Sequence, residues 1–61
     1  MTPLELALAE MEAEARWLEV AAKKAAKDGM YDTGAGFRNR AGGVRRAMEI
    51  LEKLQILKTQ A

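Results

Sequence analysis

Residues 29–33 read Gly29-Met30-Tyr31-Asp32-Thr33, and they lie between two long stretches of helical periodicity. Gly29 is a natural helix stop, because a residue that closes a helix commonly adopts the left-handed conformation that only glycine enters freely. Met30 to Thr33 is short and turn-like, and Asp32 or Thr33 can cap a following helix through its side-chain oxygen. Two helices joined by roughly four residues make an antiparallel hairpin. The chain therefore reads as all-α and as a single helical-hairpin domain over residues 1–61. It has a helix over about 3–28, a turn over about 29–33 and a helix over about 34–58.

Working outward toward the N-terminus, Thr2-Pro3-Leu4-Glu5 combines a capping hydroxyl, a proline at the first helical position and a glutamate placed to close a capping box. Leu4, Leu8, Met11, Ala15, Leu18, Ala22 and Ala25 then recur at spacings of four and three, which makes a continuous seam on one helix face. Glutamates crowd the first half of this helix and lysines the second, in keeping with the helix dipole. Glu12 with Arg16 and Glu19 with Lys23 stand one turn apart.

In the other direction, a turn centred near Met30 and Tyr31 sets face to face residues whose numbers add to about 61 or 62. Leu4 then meets Leu57, Leu8 meets Leu54, Met11 meets Ile50, Ala15 meets Ala47, Leu18 meets Gly43 and Ala25 meets Gly36. The second helix so read has a seam of Gly36, Arg40, Gly43, Ala47, Ile50, Leu54 and Leu57, with large residues at the open end and small ones near the turn. A second stripe, Phe37, Ala41, Val44, Met48 and Leu51, is rotated away from it, and the first helix carries Leu6, Trp17, Val20 and Ala21 off its own seam. One hairpin has one interior and cannot bury both stripes, so the second predicts a homodimer or larger symmetric assembly. Its interface is expected at Trp17, Phe37, Ala41, Val44, Met48 and Leu51.

Gly42-Gly43 opposes this reading, since each glycine inside a helix costs about 1 kcal/mol relative to alanine. Close approach of another backbone, or room for a ligand, offsets that cost. The pattern predicts an unbroken second helix, the alternative being a break at the glycine pair with a fresh start at Val44.

The bulk properties agree. A chain of 61 residues buries only about 60% of its unfolded surface if it folds alone. It has no cysteine or histidine, which removes disulfides and thiolate or imidazole zinc sites and leaves self-association to complete the core. No apolar run approaches the roughly 20 residues that span a bilayer, and the first residues are acidic where a signal peptide is basic. The expectation is a soluble, cytoplasmic protein without membrane contact.

Enzyme chemistry fares badly. Serine is absent along with histidine and cysteine, leaving Thr2, Thr33, Thr59 and Tyr31 as the only hydroxyls, so the usual nucleophiles and the usual general base are missing. Glu10, Glu12 and Glu14 alternate around a helix and read as a solvated acidic face. No catalytic residue, cofactor or metal is expected. Gly34-Ala35-Gly36-Phe37-Arg38-Asn39 has no third glycine for a dinucleotide fingerprint and no strand before it, and nothing resembles the lysine-bearing phosphate loop.

Charge is segregated. Residues 1–22 balance to −4, residues 23–46 to +5 and residues 47–61 to zero. The basic block brings Lys23, Lys24, Lys27, Arg38, Arg40, Arg45 and Arg46 into the turn-proximal half of the hairpin, with Tyr31 and Phe37 beside them. Arginine matches phosphate or carboxylate in two-point contact and stacks on rings. The candidate ligand-binding residues are Tyr31 and Phe37 as stacking rings, Arg38, Arg40 and Arg45 as phosphate partners, and Gly42 and Gly43 as points of close ligand approach. The same charges also suit plain solvation, pairing with the acidic half of a neighbouring protomer, nucleic acid, or an acidic protein patch.

Two resemblances bear on these residues. The twin-helix layout is similar in architecture to the repressor-of-primer type of RNA-binding protein, a homodimeric four-helix bundle. The pattern Tyr31, Phe37-Arg38-Asn39-Arg40-Ala41-Gly42-Gly43, then Arg46-Ala47-Met48-Glu49-Ile50-Leu51 resembles the small phage-encoded helical proteins that counter bacterial defence, in particular the anti-CBASS and anti-Thoeris sponges. That resemblance implies a viral protein acting in the host cytoplasm, with pockets between protomers that hold a cyclic nucleotide or an ADP-ribose-derived signal. Non-enzymatic sequestration of such a nucleotide is the function expected. The alternatives are an RNA- or DNA-binding bundle and a protein inhibitor or adaptor.

Overall fold

A computed structural model describes residues 1–60, with side chains as far as Lys58. Two helices, α1 over Pro3–Lys27 and α2 over Tyr31–Gln60, pack against each other as an antiparallel hairpin of 49 × 19 × 9 Å. The radius of gyration is 14.4 Å, against about 10.5 Å for a compact domain of this length.

The start of α1 follows its sequence signal. The Glu5 amide donates to Thr2 Oγ1 at 3.1 Å and the Thr2 amide donates to Glu5 Oε1 at 3.3 Å, closing the capping box with proline in the first turn. At the other end Gly29 takes a positive φ of 81°. Its amide donates to the Ala26 carbonyl at 3.1 Å and the Met30 amide to the Ala25 carbonyl at 2.8 Å, the paired bonds of a Schellman motif.

That motif shortens the turn. It delivers Met30 directly into the next helix, where the Met30 carbonyl accepts from the Gly34 amide at 2.9 Å. Asp32 and Thr33 consequently lie inside the first turn of α2 and do not cap it, and the helix begins about three residues ahead of the expected start near 34. Asp32 still places a negative charge at the helix N-terminus, where it is favourable. Past Gly42-Gly43 the helix runs on without a break.

A shorter turn changes which face of α2 looks inward. Gly34 lies against Ala22, Ala25 and Ala26, so facing residues carry numbers that add to about 59, as for Gly34 with Ala25, not 61 or 62. Each residue turns a helix by about 100°, so a slip of two or three brings a different stripe to the interior. Phe37, Ala41, Val44, Met48 and Leu51, expected at an oligomer interface, are buried or half-buried in the hairpin seam. Gly36, Arg40, Gly43, Ile50, Leu54 and Leu57, expected inside, are exposed, and Ala47 is half-buried. All seven seam residues of α1 are buried or half-buried as its periodicity indicates.

The resulting core is thin. The buried apolar residues are Ala15, Leu18, Ala22, Ala25 and Ala41, so among the described residues Leu18 is the one large side chain that is buried. Small residues let the helices approach: a Cβ on Gly34 would stand 3.0 Å from the Ala22 carbonyl oxygen. The tight approach assigned to Gly36 and the Gly42-Gly43 pair is thus made by Gly34, and a Cβ on Gly36, Gly42 or Gly43 would meet nothing within 4 Å.

Candidate functional site

The hairpin has two unlike sides. On one, charges from both helices interlock. Arg45 donates from Nη2 and Nε to the two carboxylate oxygens of Glu19 at 2.7 and 3.3 Å and from Nη1 to Glu12 Oε2 at 3.0 Å. Arg16 Nε donates to the other Glu12 oxygen at 3.0 Å. Forked contact of this kind is the strong form of an arginine–carboxylate pair. The hydrogen bonds from Arg16 and Arg45 hold the Glu12 carboxyl below the usual carboxylate range, that from Arg45 does the same for Glu19, and Glu19 and Glu12 together push the Arg45 guanidinium upward.

Arg45, a candidate phosphate partner in the basic block, stands seven residues from Arg38 and so on the same side of α2. Its donors are engaged by α1, so its role here is to clamp the two helices. A sequence signal existed, since Glu12 and Glu19 are seven apart and hence on one face of α1. Reading it required the correct inter-helix register.

Further toward the turn on the same side, Arg38 and Lys23 border a groove of about 330 Å³ with Glu19 and Ala22. Across the hairpin, Thr33, Gly36, Phe37 and Arg40 line a second groove of about 260 Å³. A third, of about 340 Å³, runs over Ala21, Lys24, Ala25, Asp28, Met30 and the shared pair Thr33 and Phe37. Phe37 is half-buried and meets the Trp17 ring edge-to-face, with centroids 6.1 Å apart and planes at 83°.

The seven candidate ligand residues therefore do not converge within one chain. Arg38 and Arg40 flank opposite sides of α2. Tyr31 is exposed at the start of that helix, and Gly42 and Gly43 lie open on its surface. Close packing against Trp17 occupies one part of Phe37.

One electrostatic feature does stand out. Among the described residues Lys23, Lys24, Lys27, Arg38, Arg40 and Arg46 form no salt bridge; the first five lie toward the turn and Arg46 at the middle of α2. Glu10 and Glu14, toward the open end, are likewise outside the ion-pair network. The described residues bring no three potential metal-ligating side chains together, and no described helix is long and apolar enough to cross a membrane. The Thr59 hydroxyl lies outside the described side chains. No protein-family model, curated protein or solved structure matches the chain, so what it does has to be read from its own residues.

Proposed function

We propose that this chain is a non-enzymatic, self-associating binding protein that sequesters a phosphate-bearing ligand, of the class of cyclic nucleotides or ADP-ribose derivatives, at the turn end of the hairpin. The observation that carries this reading is the set Lys23, Lys24, Lys27, Arg38 and Arg40 in the turn-proximal half of the hairpin, none of which forms a salt bridge. Like charges gathered without partners repel, and a bound anion relieves that repulsion while gaining charge-assisted hydrogen bonds. Arg38 and Lys23 face one groove together, which suits two-point contact with a phosphate. Each groove is at or near the lower end of ligand-pocket volumes, about 300–1,000 Å³, and open to solvent. A small nucleotide held there is gripped on one side and stays open to solvent on the other.

Such a protein acts by affinity and abundance, which suits a chain without serine, cysteine or histidine. The test is native mass spectrometry and calorimetry with a panel of cyclic dinucleotides and ADP-ribose derivatives. Retention of one ligand class at a fixed ratio per protomer is expected, and an oligomer that stays empty across the panel at 100 μM (about ten times a 10 μM Kd, enough to fill roughly nine sites in ten) sinks the reading. A second reading, nucleic acid, draws on the spread of these cations around a rod 49 Å long. Salt separates the two: affinity for a polyanion falls steeply with added salt because binding releases many counterions, whereas two or three phosphate contacts give a shallow slope.

A further inference from the structure

The side of the hairpin opposite the Arg45 clamp carries an uncovered apolar stripe bordered by charged residues. Gly36, Gly43, Ala47, Ile50, Leu54 and Leu57 run along it on α2 at spacings of seven, four, three, four and three, and Leu54 is 57% exposed. From α1 the stripe Glu10, Glu14, Trp17, Ala21 and Lys24 borders the same side, fixed there by the Trp17–Phe37 contact and the groove that Ala21 and Lys24 share with Phe37. Trp17, the one tryptophan of the chain, is 60% exposed.

We infer that this face is covered by a second copy of the chain, packed antiparallel about a two-fold axis near Gly43. The inference deepens the self-association in the proposed function by naming its interface. Three observations favour this occupant. The first is area. A compact monomer of 6.7 kDa exposes about 3,900 Å², while this chain exposes 4897 Å². The excess, about 1,000 Å², is close to the roughly 800 Å² that each partner contributes to a standard interface.

The second is shape. Gly36 and Gly43 each cost helix stability relative to alanine, yet no part of the hairpin comes near enough to need them. The stripe is small toward the turn and large toward the open end, so only reversed alignment sets bulk against space. With the axis near Gly43, the partner's Ile50 lies over Gly36, the two Gly43 backbones approach each other, and the two Trp17 rings come together near the centre.

The third is charge. On this face Lys24 and Arg40, with Asp28 beside Lys24, lie toward the turn, and Glu10 and Glu14 lie toward the open end, none of them in a salt bridge. Reversed alignment brings Lys24 to the partner's Glu10 and Arg40 to the partner's Glu14. Parallel alignment would set like against like. Lys23 and Arg38 are on the other side and stay free for a ligand.

Analytical ultracentrifugation and the emission of Trp17 on dilution test this in the full chain. Wild type is expected to sediment as a dimer at micromolar concentration, with Trp17 emission shifting red as it dissociates. Gly43→Leu should weaken dimerisation at least tenfold while the diluted protein keeps its helicity, because a Cβ there meets nothing within 4 Å in the hairpin. Gly42→Leu, on the opposite flank, should leave dimerisation within twofold of wild type. Glu10→Lys and Lys24→Glu should each weaken it, and the double variant should recover it. A folded wild-type monomer at 100 μM (for a dimer with Kd 10 μM, about 80% dimeric at that concentration), or equal effects of the two glycine variants, overturns the inference. A dimer that binds no nucleotide would instead leave the interface standing and remove the ligand reading.

Discussion

Gly34 brings α2 so close to α1 that a methyl group on its Cα would stand 3.0 Å from the carbonyl oxygen of Ala22. That atom belongs to helical backbone and cannot swing aside as a side-chain tip can. In Gly34→Ala the overpacking, about 1–3 kcal/mol, opposes the roughly 1 kcal/mol that alanine gains over glycine in a helix. A net loss of about 1 kcal/mol is expected. Gly42→Ala meets open space and should gain up to about 1 kcal/mol. Urea unfolding of the two variants beside wild type decides it, and a midpoint that rises for both would show that the helices do not approach at Gly34.

Leu18 is 3% exposed in a core otherwise made of alanine. Truncating a buried leucine costs about 2–5 kcal/mol, and a 61-residue chain has only about 3–9 kcal/mol to lose. Leu18→Ala should therefore show reduced helicity at 25 °C and a melting transition lowered by 10 °C or more, given about 4–8 °C per kcal/mol for small domains. Circular dichroism at 222 nm reads this directly. A melting point within 2 °C of wild type would mean that the hairpin seam is not where the chain derives its stability.

The contrast between α1 and α2 marks how far the sequence could be read. The α1 seam was legible because the capping box fixes where the helix begins and one apolar stripe runs its length. On α2 two stripes competed, and the choice turned on a turn length that differs by two or three residues between a capped loop and the Schellman motif at Gly29. A warning was present: the longer turn placed Arg40 in the interior, where an unpaired guanidinium is costly, whereas Phe37, Ala41, Val44, Met48 and Leu51 carry no charge. The same slip hid the role of Arg45, whose partners lie 26 and 33 positions away in the chain. The basic block itself needed no register, and it runs from the turn to the middle of α2 as its position in the sequence implies.

Acid should loosen the clamp. Glu12 and Glu19 have carboxyls lowered in the folded state, chiefly by hydrogen bonds from Arg16 and Arg45 for the first and from Arg45 for the second. A lowered folded value means that the unfolded chain takes up protons first as the pH drops. The stabilisation is therefore fully present above the ordinary value of 4.5 and is lost as the pH falls through the lowered folded values. The melting temperature should hold level from pH 7 to about 5 and decline below about 4. Arg45→Met should flatten much of that acid slope and lower the plateau, while Arg38→Met, outside the clamp, leaves the slope intact. A slope unchanged in Arg45→Met would mean that these carboxylates are not held by it.

Arg38 and Arg45 share one side of α2 but differ in what already holds them, and this sets opposite expectations for ligand binding. Arg45 has its Nε and both terminal nitrogens engaged by Glu19 and Glu12, so offering it to a phosphate would break the clamp. Arg38 borders its groove with Lys23 and forms no salt bridge. Removing a charge-assisted hydrogen bond costs about 1.5–3 kcal/mol, so Arg38→Gln should weaken capture of a phosphate-bearing nucleotide by at least tenfold without moving the melting temperature by more than about 2 °C. Arg45→Gln should do the reverse, lowering the melting temperature while the affinity of the protein that remains folded stays within twofold. Calorimetric titration paired with thermal melts of the two variants separates the roles, and affinity lost equally in both would return Arg45 to the binding site.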